Sequence, residues 1–179
     1  MSKLTESNTY AVDVLMEQAR TLAANYRKTT GKTLAGVSGE LAVYDAIRLL
    51  NLQAVDDNLP YEAIGTEDAG DLYNERIQIK GRSIFSDSKS SPRMGQIKVS
   101  EHWDSVVLVL MNDDYQPFEI YEIDRSSLED NVADKDSSRG KRGAMTVARF
   151  KKIATLLWSM QWSNSPSQLQ SQPQAQQQP

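Results

Sequence analysis

The stretch Asp71-Leu72-Tyr73-Asn74-Glu75-Arg76-Ile77-Gln78-Ile79-Lys80-Gly81-Arg82 decides how this chain is read. Taking Asn74-Glu75 as the tip of a two-residue hairpin sets Tyr73 opposite Arg76, Leu72 opposite Ile77 and Asp71 opposite Gln78. Period-two alternation then puts Leu72, Ile77 and Ile79 on one face and Asp71, Gln78 and Lys80 on the other. A carboxylate, an amide carbonyl and an ammonium held close together on rigid strands make a hard-cation site with a positive group beside it. Such an arrangement suits phosphodiester hydrolysis.

Upstream, residues 56–70 read as a loop broken by Pro60, Gly65 and Gly70, bringing Glu67 and Asp68 just ahead of Asp71. Asp68 is the rival ligand; Asp71 is preferred because the hairpin register pairs it with Gln78. Residues 52–55 are a short strand candidate. A helix from Ser38 to Leu50, with Ser38 as its N-cap, presents Leu41, Val43, Ala46, Ile47 and Leu50 as an apolar surface suited to packing on a sheet. Glu40 in its first turn has two readings: it complements the helix dipole, or it points over the sheet edge toward the hairpin face. Residues 9–28 form a first amphipathic helix through Ala11, Leu15, Ala19, Leu22 and Tyr26, stopped by Gly31.

Downstream, the Gln78 strand continues to Phe85, and residues 86–95 form a polar loop carrying Lys89 and Arg93. Residues 96–99 extend briefly and 101–104 make a helical turn. His102, the one histidine, disfavours a Ser-His-Asp triad or a multi-histidine metal site. Continuous β-branched apolarity marks 105–111 as a central strand covered on both sides, and the alternation of Phe118, Ile120 and Ile123 with Glu119 and Glu122 marks 118–123 as its antiparallel neighbour. Residues 124–144 are polar and irregular, with a helical turn at 127–130. Thr146 then caps a last amphipathic helix in which Val147, Phe150, Ile153, Ala154, Leu157 and Trp158 face the core.

The chain thus divides into an N-terminal helical segment (1–35), a core (36–162) and a Ser/Gln/Pro-rich tail (163–179) read as disordered, where a protein partner could be recruited. With 179 residues, 39% of them hydrophobic, it can bury a core. The absence of cysteine excludes disulfides, thiolate metal sites and a cysteine nucleophile. No apolar run approaches the ~20 residues that span a bilayer, so a soluble cytoplasmic protein without membrane association is expected. A net charge of −4 argues against a histone-like protein. Yet residues 76–98 hold Arg76, Lys80, Arg82, Lys89, Arg93 and Lys98 against one acid, Asp87, and residues 139–152 hold six basic groups and no acid. Either stretch is a phosphate-contacting surface or an ordinary solvated face.

A helix with Glu40 near its start, a strand, a hairpin bearing Asp71 and Gln78-Ile79-Lys80, and later core strands resemble the PD-(D/E)XK nuclease superfamily over roughly residues 36–124. The resemblance implies an α/β fold with a restriction-endonuclease-like core, a central mixed β-sheet flanked by helices. It also implies Mg²⁺- or Mn²⁺-dependent hydrolysis of phosphodiester bonds, with DNA as the expected polymer. Asp71, Gln78 and Glu40 match the metal ligands, and Lys80 matches the residue that orients the attacking water. Arg82, Lys89 and Arg93 are the expected backbone contacts, and members that cut duplexes often act as homodimers. Gly70 stands where the motif has proline, and Gln78 where it has an acid, which removes a negative charge from the cage. The alternative is a catalytically inactive nuclease fold serving as a nucleic-acid-binding or structural module.

Overall fold

The computed structural model describes residues 4–89, 91–97, 100–132 and 145–163. Helices α1 (Leu4–Thr30) and α2 (Val37–Leu49) lead into strands β1 (Leu52–Ala54), β2 (Ala63–Gly65) and β3 (Arg76–Ser83). Then come β4 (Ser105–Met111), β5 (Pro117–Asp124), α3 (Arg125–Val132), α4 (Val147–Ile153), β6 (Thr155–Ser159) and a terminal helical turn, α5 (Met160–Ser163). The strands form one six-stranded mixed sheet in chain order. Neighbours are antiparallel except β3 and β4, which run parallel.

Uninterrupted apolar sequence leaves β4 no solvent face, and all its residues are buried at the centre of the sheet. Its odd-numbered side chains Val107, Val109 and Met111 join Ile77 and Ile79 in a core under α1 and α2. Val106, Leu108 and Leu110 face the opposite core, closed by Met94, Ile97, Trp103, Leu128 and Phe150. The molecule is therefore an α/β layering with both sheet faces covered. Helix α1 joins the first core through Ala23 and Ala24, and its buried Arg20 bonds Asp45 of α2 and the carbonyl of Tyr115.

Helix α2 can lie against β3 because Gly81 has no side chain. A Cβ there would stand 2.4 Å from the Ser38 carbonyl oxygen and 2.5 Å from Ala42 Cβ. Its cap is Gly36, at φ 83°, rather than Ser38, which lies inside the first turn.

Three local expectations are corrected. Residues 71–73 are not the hairpin partner of β3. That partner is β2, with Ala63 opposite Ile77 and Ile64 opposite Arg76. Segment 66–75 instead curls back on itself through a 3-10 turn at Gly70–Leu72, and Asn74 N–H bonds the Gly65 carbonyl at 2.9 Å. Gly65 permits this crossing, since a Cβ there would sit 1.7 Å from the Leu72 carbonyl oxygen. Residues 101–104 form no helical turn; Asp104 is tied to the start of β3, its N–H bonding the Arg76 carbonyl at 2.8 Å.

The third correction concerns the last helix. Thr146 caps it as expected, its hydroxyl accepting from Arg149 N–H at 3.2 Å, but the helix stops at Ile153. Leu157 and Trp158 belong to β6, which pairs with the otherwise open edge of β5. The tail beyond residue 163 and the basic residues at 139–142 lie outside the described residues.

Candidate functional site

Strand alternation places Gln78, Lys80 and Arg82 on one face of β3, beside Val106, Leu108 and Leu110 of β4. Gln78 is fully buried, whereas Lys80 and Arg82 are half-buried. The crossover between β3 and β4 roofs this face. Arg82 Nε donates to the Arg93 carbonyl, and a methyl group on Gly95 would lie 3.8 Å from Arg82 Nη2 and 4.0 Å from Lys80 Cδ. The roof is pinned in turn to the start of α4, with Met94 N–H bonding the Met145 carbonyl and Val147 N–H the Pro92 carbonyl, each at 2.9 Å. Arg93 and Lys89 are exposed on this loop.

Glu62 joins the group from the chain just before β2. Its N–H donates to the Ile77 carbonyl at 3.0 Å, and its Oε2 accepts from Ile79 N–H at 2.7 Å. The carboxylate thereby replaces a strand carbonyl in the ladder next to Gln78, where β2 parts from β3. Sequence reasoning placed Glu62 in a loop. The available signal was the alternation of Glu62 and Ile64 with Ala63 and Gly65, too short to identify a strand.

The other expected ligands stand elsewhere. Glu40 is exposed in the first turn of α2, which packs on the opposite face of the sheet from Gln78 and Lys80. Asp71 is exposed in the 3-10 turn, and its rival Asp68 is exposed in the same loop. The charge of Asp71 is felt by Glu122 of β5, whose carboxyl is pushed up to about 7, first by burial and then by Glu75, Asp124 and Asp71. His102 is exposed.

Among the described residues no group of three or more acidic, histidine or cysteine side chains is gathered to hold a metal ion. Gln78 and Lys80 are together, but Asp71 and Glu40 do not converge on them, so this arrangement does not fit a Mg²⁺ cage. What the face offers is an ammonium and a guanidinium held beside a buried amide and a carboxylate. Of these, the half-buried Lys80 and Arg82 can bind a phosphodiester and offset charge on it, while the fully buried Gln78 does not reach it.

The sequence matches no protein-family model, and no curated protein matches it at a significant level.

Proposed function

We propose that the chain is a nuclease of the PD-(D/E)XK type, hydrolysing phosphodiester bonds, with DNA as the expected polymer. The observation that carries the reading is the grouping of Gln78, Lys80 and Arg82 on one face of β3, beside the Glu62 carboxylate where β2 parts from it. A restriction-endonuclease-like core is supported by the antiparallel run β1-β2-β3, the parallel step to β4 and the packing of α2, with Glu40 in its first turn, against β3.

The chemistry follows from the charges. Lys80, half-buried, offsets negative charge developing on the phosphorane, an interaction stronger here than in bulk water. Arg82, Arg93 and Lys89 hold the backbone and carry no base information. Mg²⁺ or Mn²⁺ is the cofactor the resemblance implies. Because the acids do not converge, no step is assigned to the ion. That same non-convergence, with Gln78 in place of an acid, favours a second reading: a nuclease fold that binds nucleic acid without cutting it.

The test is incubation of supercoiled plasmid, linear duplex, single-stranded DNA and RNA with the protein in Mg²⁺, Mn²⁺ or EDTA. Cleavage of at least one of these polymers is the expected result, and comparison of the Mg²⁺, Mn²⁺ and EDTA arms shows whether it draws on a metal. Binding without cleavage under every condition selects the second reading, and neither binding nor cleavage defeats both.

A further inference from the structure

We infer that the open cleft beside the start of β3 receives an unpaired nucleobase. The inference rests on the reading that the chain engages nucleic acid and names the form of polymer it takes. The cleft, of about 600 Å³, is lined by Tyr61, Tyr73, Asn74, Glu75, Arg76 and Asp104, with Ile64 completing it. That volume lies in the range of small-ligand sites, ~300–1,000 Å³.

Its chemistry selects a neutral planar ring over an anion. Arg76 spends Nε and Nη2 on Asp104, at 2.8 and 2.7 Å, and this pairing holds the Asp104 carboxyl below its ordinary value. With that cation neutralised and Glu75 adding a negative charge, the lining repels phosphate. Tyr73 stands in solvent at 58% exposure, on a turn tied down by the Asn74 N–H bond to the Gly65 carbonyl, and Tyr61 lines the same cleft. Tyr61 packs against the second core and forms the floor of the cleft, whereas the exposed ring of Tyr73 is the one placed to stack on a base. Asn74 and Glu75 add amide and carboxylate groups that can bond a base edge.

The position supports the same occupant. Arg76, Gln78, Lys80 and Arg82 follow one another at every second residue of β3, so the cleft and the basic group share one side of the strand. The separation from Arg76 to Lys80 is ~13 Å. One strand of nucleic acid can lay its backbone along Lys80 and Arg82 and drop a base into the cleft, which a base paired in a duplex cannot do.

The experiment is fluorescence anisotropy with a fluorescein-labelled single-stranded oligonucleotide and the same oligonucleotide annealed to its complement. Wild type, Tyr73→Ala, Tyr73→Phe and Arg82→Ala are compared. Loss of one stacked base weakens single-strand binding by about tenfold in Tyr73→Ala, leaves duplex binding within about twofold, and spares Tyr73→Phe. Unchanged single-strand binding in Tyr73→Ala, or an equal loss on both polymers, overturns the cleft; the nucleic-acid reading then still stands if Arg82→Ala weakens binding. Wild-type protein that binds neither polymer overturns that reading and the cleft with it.

Discussion

The fold disturbs the ionisation of Glu122, raising its carboxyl from 4.5 to about 7, chiefly by burial and then by Glu75, Asp124 and Asp71. A raised carboxyl favours the folded state fully below its unfolded value of 4.5, and that contribution is lost as pH rises through about 7. Asp124 works the other way: hydrogen bonds from Ser126 and Ser127 hold it at about 2, so its contribution is present above 3.8 and lost as pH falls through about 2. Glu122→Gln therefore stabilises the protein at pH 8, by ~1 kcal/mol after allowance for the remaining solvent contact, and changes little at pH 4.5. Urea unfolding at both pH values checks this, and an equal effect at both would contradict it. At this scale the sequence was legible where alternation alone decides. The shared face of Gln78 and Lys80 follows from period two, whereas the pairing of Asp71 with Gln78 depended on a register that the crossing of Leu72 over Gly65 overrides.

Between elements, α1 is fastened by one buried ion pair. Arg20 bonds Asp45 of α2 and the Tyr115 carbonyl in the turn between β4 and β5, while burial pushes the Asp45 carboxyl up against the pull of Arg20. Asp45→Ala strands the guanidinium in the core and should cost about 3–5 kcal/mol in urea unfolding. A cost under ~1 kcal/mol would show that the pair does not hold α1. Gly81→Ala drives a methyl group into Ser38 and Ala42 and should cost about 1–3 kcal/mol, with a lowered melting temperature as readout. Elements whose signal is local were legible: β4 coincides with its apolar run, and Thr146 caps α4 as its hydroxyl suggests. β6 was not. Leu157 and Trp158 continue the helical spacing of Phe150 and Ile153, and only the open edge of β5, invisible in the sequence, draws them into a strand.

For the whole molecule, the mixed sheet with helices over it was legible, because a helix, short strands and one fully apolar strand leave few ways to bury both faces. The expected convergence of Glu40 and Asp71 on Gln78 does not form, because α2 lies over the opposite face of the sheet and Asp71 stands in the exposed 3-10 turn. Charge is also local: the chain is net negative at −4, yet Lys80, Arg82 and Arg93 gather under and on the crossover. None of the described helices is long and apolar enough to cross a membrane.

Cutting of a nucleic acid at the Gln78–Lys80 face is tested by single-turnover cleavage with Lys80→Ala beside wild type, using the best-cut polymer and circular dichroism to verify the fold. A loss of at least ~100-fold in rate with an unchanged spectrum is expected, in line with removal of one group that stabilises transition-state charge. A correctly folded Lys80→Ala protein that cuts at the wild-type rate would contradict it.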